Sequence, residues 1–213
     1  MRYQKSDILR AVRVAMDYDP QNEQLAAIGD TETLEIDVMI ADAAPRALLN
    51  VLLKAPISML GSSCKSCTTP ISFRWLTETA EAPYGCAVDM PDDFVRLYVV
   101  RMGDWKYGVS DVITTDDVRY PMQFSSSPGL RGNPDRPGVA LVSSANGNTL
   151  ELFGSRSRSV NVSELSYVPL PRWEEDALEM DERLHASFVM MCASLVAASL
   201  GDYDKSKYYL SLT

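Results

Sequence analysis

Histidine is almost absent from this chain: among 213 residues there is one, His185. Catalytic triads, histidine metal sites and most proton relays need a well-placed imidazole. A single one in an apolar-rich helical stretch is expected to be a packed or helix-surface side chain. Cysteine is scarce as well, with four residues. Cys64-Lys65-Ser66-Cys67 has the spacing of a redox dithiol or of half a zinc site. Cys86 and Cys192 stand alone, so the second pair is missing and a structural or incidental role is expected; a metal site with Cys86 and redox chemistry are the lesser alternatives. No Gly-rich phosphate loop occurs, because Gly129-Leu130-Arg131-Gly132 lacks the strand-to-helix setting a phosphate cradle needs. Ser62 and Lys65 match Ser-x-x-Lys without the companion motifs of that chemistry. Asn161-Val162-Ser163 fits a glycosylation acceptor by letter alone. Apolar runs stay short of the roughly 20 residues a membrane span needs. The opening Met1-Arg2-Tyr3-Gln4-Lys5 leads into an amphipathic helix, so cytoplasmic synthesis and no membrane are expected. Basic residues are outnumbered, Lys and Arg 20 against Asp and Glu 29, for a net charge of −9 and a pI near 4.6. That balance argues against a dedicated duplex-DNA binder, though not against a surface that DNA slides past.

What is present is an ordinary globular composition, 46% hydrophobic and 23% charged, enough to bury a core. Acids crowd the ends of the chain, from Asp17 to Asp42 and from Glu174 to Glu182. The middle balances Arg96, Arg101, Lys106, Arg119, Arg131, Arg136, Arg156 and Arg158 against nearby Asp residues. Solvated faces and acids at helix N-termini account for such a distribution; acidic and basic faces meeting between copies is the functional reading.

Periodicity predicts helices, then strands, then helices. Ser6 is placed to cap a first helix with Ile8, Leu9, Val12 and Met16 on one face, ending over Asp17 to Pro20. A polar link through Gly29-Asp30 leads to a second helical pattern over Leu34 to Lys54, with Val38, Ala41, Leu48 and Leu52 as its stripe. Pro45 predicts a kink or break near Ala44. Strands are expected at Ile71–Leu76, Cys86–Met90, Phe94–Met102, Lys106–Val109, Gly138–Ser143, Thr149–Phe153 and Val160–Val168, with Asn146-Gly147 turning a hairpin. Thr115 to Tyr120 predicts a short helix limited by Pro121. The strongest helix spans Glu175 to Leu200, with Leu178, Leu184, Phe188, Met191, Leu195 and Ala198 at helical spacing and Gly201 as its cap. An amphipathic piece, Asp202 to Leu212, follows. The expected fold class is α+β: a helical bundle built from N-terminal helices (1–55) and C-terminal helices (173–213), with an inserted antiparallel β region (56–172). Asp92-Asp93 and Asp116-Asp117 suit turn initiation or capping better than acid–base work. Trp75, Trp105 and Trp173 are either core anchors or interface residues. No catalytic residue, metal or cofactor is expected.

One stretch carries more. Met90-Pro91-Asp92-Asp93-Phe94-Val95-Arg96-Leu97-Tyr98-Val99-Val100-Arg101-Met102 leads through Trp105-Lys106-Tyr107 to Pro128-Gly129-Leu130-Arg131-Gly132-Asn133-Pro134-Asp135-Arg136-Pro137. A strand with Pro-x-Asp-Phe-x-Arg-Leu, a Trp, and a later Arg-Gly before a Pro-led strand resemble the neck proteins of tailed bacteriophages. The likeness is nearest to the head–tail connector, or adaptor ring, proteins of short-tailed, crAss-like Bacteroidales phages, and covers most of the chain in element order. Pro45 and the Ser62-to-Cys67 segment depart from that pattern. The resemblance implies a structural virion protein, assembled in the host cytoplasm, forming a homo-oligomeric, dodecameric ring between the portal protein and the next tail or neck ring. It would extend a channel through which DNA passes without sequence-specific binding. It also implies a portal-docking C-terminal segment, here Tyr203, Lys205, Lys207, Tyr208 and Tyr209. Arg96, Arg101, Trp105, Arg131 and Arg136 become candidates for a subunit or neck interface. The alternatives are another neck, tail-tube or stopper ring, a general scaffolding or adhesion module, and a small hydrolase or redox enzyme using Cys64, Cys67 and His185.

Overall fold

The computed structural model describes residues 1–16, 31–67, 73–76, 84–145, 147–157 and 160–213. The expected stop over Asp17 to Pro20, the link at Gly29-Asp30, Ile71, Asn146 and Arg158 lie outside them. Among the described residues the strands are β1 (Arg2–Gln4), β2 (Lys65–Ser66), β3 (Phe73–Trp75), β4 (Tyr84–Asp89), β5 (Phe94–Met102), β6 (Ile113–Thr114), β7 (Gly138–Ser144), β8 (Gly147–Ser155), β9 (Val162–Pro169) and β10 (Ala177–Glu179). The helices are α1 (Lys5–Ala15), α2 (Thr31–Lys54), α3 (Arg119–Met122), α4 (Glu182–Ser199) and α5 (Tyr203–Leu210), with single 3-10 turns at Ile57–Met59 and Gly61–Ser63. The chain divides into a terminal unit, Met1–Ser63 with Leu170–Thr213, and a central unit, Cys64–Pro169.

The helical-bundle expectation is corrected. The fold is mixed α/β, with about 30% strand in three sheets and only 38% helix among the described residues. The terminal unit itself contains a sheet, because β1 pairs antiparallel with β10 in the register Tyr3↔Leu178. Ala177–Glu179 therefore leaves the helix expected from Glu175, and α4 starts only at Glu182. Glu175 and Asp176 turn the chain at φ 49° and 56°, in the left-handed region. Asp181 then caps α4, its side chain accepting from Arg183 N at 3.0 Å. The far end of α4 closes as the sequence suggested: Gly201 sits at φ 82°, its N–H reaches Ala198 O at 3.1 Å, and Asp202 N reaches Ala197 O at 2.9 Å. This paired bonding satisfies the last carbonyls of the helix.

Ser6 does not cap α1; it lies inside the helix, whose cap position is Gln4 without a side-chain bond. Ile8, Val12 and Met16 are buried as a stripe, with Leu9 at its margin. On α2 the buried set is Ile36, Ile40, Ala43, Ala44, Ala47, Leu48, Val51 and Leu52, whereas Val38 is 61% exposed. The alternating steps of four and three place these residues on one face.

Pro45 does not break α2. Proline has no N–H for the carbonyl four residues earlier, which here belongs to Ala41. That carbonyl accepts instead from Trp173 Nε1 at 3.0 Å. Trp173 is thus half-buried with its polar atom satisfied, and Lys5 Nζ stands 5.7 Å from its ring centre.

The central unit holds two sheets. One has the order β2-β9-β5; the other has the order β3-β4-β8-β7-β6 and includes a parallel pairing, β6 with β7. The single antiparallel sheet expected for this region is corrected accordingly. Buried residues of both sheets, among them Val88, Leu97, Val100, Met102 and Leu165, share one core with Trp105. Lys106–Val109 is not a strand; Val109 only exchanges hydrogen bonds with Val100 at 2.9 and 2.8 Å. In the β7–β8 hairpin Ser144 pairs with Gly147 at φ 116°, so the second strand starts one position earlier than an Asn146-Gly147 turn places it. Pro121 sits inside α3, at its third residue, where a missing N–H costs nothing.

Replacing Trp173 by Phe removes the donor to Ala41 and is expected to cost about 1–3 kcal/mol, the penalty of an unpaired buried carbonyl. Pro45→Ala restores the N–H, so the same Trp173→Phe change should cost roughly 1 kcal/mol less in that background. Denaturant unfolding of the four proteins measures this coupling, and strict additivity would reject the account.

Candidate functional site

The C-terminal helix α5 is fixed to α4 by few but specific contacts. Asp202 caps it, accepting from Lys205 N at 3.1 Å. Ser194 of α4 is buried and donates to Ser206 O at 2.9 Å. Tyr209 is 5% exposed and faces the same way as Ser206, three residues earlier on the helix. The other positions look outward: Tyr203 at 67%, Tyr208 at 61%, Leu210 at 48% and Leu212 at 50% exposure, with Lys205 and Lys207 exposed beside them. Of the five docking candidates, four therefore lie on the surface and Tyr209 is the anchor. Lys205 Nζ is 3.5 Å from the Asp202 carboxylate in an exposed pair that contributes little.

The candidates of the central unit separate in the same manner. Trp105 is 2% exposed and belongs to the core, so it is not a surface contact. Its Nε1, like Oδ1 of neighbouring Asp104, is buried without a hydrogen-bond partner among the described residues. Arg101 is exposed and donates from Nε to Trp105 O at 3.3 Å and from a terminal nitrogen to Lys106 O at 3.5 Å, holding the turn after β5. Arg96 is half-buried. Strict alternation fails along β5, since Phe94, Leu97, Val100 and Met102 are all buried. Register shifts against β9 between Phe94 and Arg96, Leu97 and Val99, and Arg101 and Met102 re-aim the side chains.

The Arg131-Gly132 segment is held by a residue that sequence reasoning did not single out. Gln123 is 8% exposed; its Oε1 accepts from Gly132 N at 2.8 Å and its Nε2 donates to Arg119 O at 3.1 Å. Phe124 meets Phe153 edge-on at 5.3 Å. A Cβ on Gly132 would lie 2.9 Å from Gly138 N, and one on Gly154, at φ 110°, only 2.8 Å from Asn133 N. The loop backbone thus lies directly on β8. Arg131 reaches Ser125 O at 3.4 Å and is half-buried, while Arg136 is exposed. No local pattern marks Gln123, because the contact that fixes the loop, with Gly132, comes from nine residues further along.

The groups of the enzyme alternative are poorly placed for chemistry. Burial pushes the Cys64 thiol up to about 11 and the Cys86 and Cys192 thiols up to about 12, away from the reactive thiolate. Lys65 and Ser66 form β2, and Cys67 N continues its pairing to Leu165 O at 2.9 Å. Three extended steps span roughly 10 Å, beyond the Cα separation a disulfide bridges. His185 stacks on Tyr3 at 4.5 Å and 21°. Asp117 accepts from the side chain and backbone of Arg119, which hold it down to about 2. Asp93 accepts from Tyr167 OH at 2.9 Å, and burial together with that bond raises the Tyr167 hydroxyl to about 12. No group of three metal-ligating side chains occurs among the described residues, and no described helix is long and apolar enough to cross a membrane.

No protein-family model matches the chain, and no curated protein matches it significantly.

Gly154→Ala is expected to destabilise by about 1–3 kcal/mol, from positive φ and the approach of Asn133. Gly129→Ala, with open space around it, should be silent in the same thermal melts; equal effects would contradict the packing described. Cys64→Ser is expected to leave the melting temperature and any assembly unchanged, and loss of either would return attention to the thiols.

Proposed function

We propose that this chain is a structural assembly subunit, a ring-forming head–tail connector of a tailed bacteriophage that sits between the portal and the next tail or neck ring. The observation that carries the reading is the exposed surface of α5 and the turn after it. Tyr203, Tyr208 and Leu210 on the helix, and Leu212 just beyond it, stand about half or more exposed beside Lys205 and Lys207, with the helix pinned from behind by Tyr209 and the Ser194–Ser206 bond. Exposed aromatic and apolar side chains on a fixed support suit a protein partner.

The residues that carry the phage resemblance add support of a second kind. Phe94 N bonds Pro91 O at 3.0 Å at the entrance of β5, Arg101 secures the turn at Trp105, and Gly132 permits the loop to lie on β8. These are scaffold roles, compatible with a protein whose work is geometric. A contact repeated around a closed ring is strengthened collectively even when each copy contributes little. In this reading the ring is a dodecamer in the virion neck, DNA passes through it without sequence-specific contact, and α5 engages the portal. Another neck, tail-tube or stopper ring is the second reading, favoured if α5 binds a tail protein instead. A Cys-dependent enzyme is disfavoured by the raised thiols and the stacked imidazole.

Light scattering and negative-stain imaging of the protein, alone and mixed with its candidate portal, should reveal closed rings in at least one condition. Tyr203→Ala with Tyr208→Ala is expected to weaken portal binding by roughly tenfold or more per side chain while leaving the fold intact. A monomer that ignores the portal would defeat the proposal.

A further inference from the structure

Cations of the central unit stand on neighbouring segments, where they outnumber the exposed acids Asp135, in the same loop, and Glu164, opposite Arg101 on β9. Arg101 lays its guanidinium on the carbonyls of Trp105 and Lys106. Lys106 N donates to Pro134 O at 3.0 Å, and Tyr107 OH donates to Asp135 O at 2.7 Å. The turn after β5 and the loop Asn133–Arg136 are therefore contiguous. Arg156 N donates to Asp104 Oδ2 at 2.7 Å, which brings Arg156 to the same place. The other Asp104 oxygen is buried, so this carboxylate is turned inward. Arg101, Lys106, Arg136 and Arg156 are exposed, and none of them makes an ion pair among the described residues. Tyr107, 48% exposed, lies among them.

A cationic surface is unusual on a chain of net charge −9. The acids are concentrated elsewhere: the terminal unit holds the larger share of them with no more basic residues than the central unit. On it, Asp176, Glu179 and Glu182 are exposed beside β10 and the start of α4, none within ion-pair distance of a cation among the described residues, although Arg2 of β1 stands opposite Glu179. We propose that the surface formed by Arg101, Lys106, Tyr107, Arg136 and Arg156 docks a second copy of this chain through that copy's Asp176, Glu179 and Glu182. A free polyanion such as DNA suits the surface less, since the rest of the chain repels it, whereas another copy offers a localised acidic counterpart. The inference rests on the reading that the chain assembles with itself and adds the faces and their chemistry.

The test is light scattering of the full chain as a function of salt and charge. Association is expected to weaken roughly tenfold or more between about 50 and 300 mM NaCl. Lys106→Glu with Arg136→Glu should abolish it at low salt, Glu179→Lys with Glu182→Lys should do the same, and mixing the two variants should restore it. Circular dichroism of each variant verifies folding. Rings that form regardless of salt and of these substitutions would overturn the docking faces while leaving the ring reading standing. A salt-sensitive pair that never closes, even on the portal, would keep the faces and defeat the ring. Absence of any self-association, or loss of duplex-DNA binding rather than of self-association in the Lys106→Glu, Arg136→Glu variant, would overturn the proposal.

Discussion

The terminal unit depends on the hydrogen bond from Trp173 to Ala41. Pro45 leaves the Ala41 carbonyl without its helical donor, and an uncompensated gap of that kind bends or ends a helix. The indole fills it at 3.0 Å, so α2 runs on to Lys54 and its buried residues stay in phase on both sides of the proline. Trp173 lies 132 residues along the chain from Ala41, just ahead of β10. From β10 the ribbon with β1 follows directly, and Lys5 N, opening α1, reaches Asp176 O at 2.7 Å. The ribbon thereby starts two helices at once: α1 leaves from Gln4 and α4 from Asp181. Each contact joins the two ends of the chain, so the unit closes only when both are made, a topology that slows folding.

Legibility in the sequence follows the range of the determining contact. The end of α4 was readable because Gly201 and the carbonyls it frees lie within five residues of one another, and the stripes of α1 and most of α4 were readable because burial follows the helical period. The length of α4 was not. Leu178 and Leu184 fit one helix, and also fit a strand followed by a cap and a helix; what decides between them is Arg2–Gln4, far away in sequence. The helical-bundle expectation failed for the same reason. β5 was placed at its correct bounds from its aromatic and branched residues, but its inward set was obscured by three irregularities in pairing with β9. Of the tyrosines named as docking candidates, Tyr203 and Tyr208 are exposed and Tyr209 is buried, a difference no local pattern shows. Only the rotation of α5 against Ser194 separates them.

Charge is used locally on this molecule. Asp117 with Arg119 and Asp181 with Arg183 are neighbours two apart in sequence, each carboxylate serving the backbone N–H and the guanidinium of one arginine. Such pairs shape turns and helix starts and leave little field at a distance. Arg101 differs, since its hydrogen bonds go to the carbonyl oxygens of Trp105 and Lys106 rather than to a carboxylate.

Edges of the central unit's two sheets are poorly suited to pairing with another chain. β5 stands at an edge of its sheet, yet its pairing is interrupted three times and Val109 occupies the outer hydrogen bonds of Val100. The edges of the five-stranded sheet are β3 and β6, of three and two residues. Bulged, covered and short edges resist strand addition by another chain. Sheets with such edges leave contacts with other molecules to surface side chains. The outer face of α5 belongs to the terminal unit and the cationic turn beside Trp105 to the central unit.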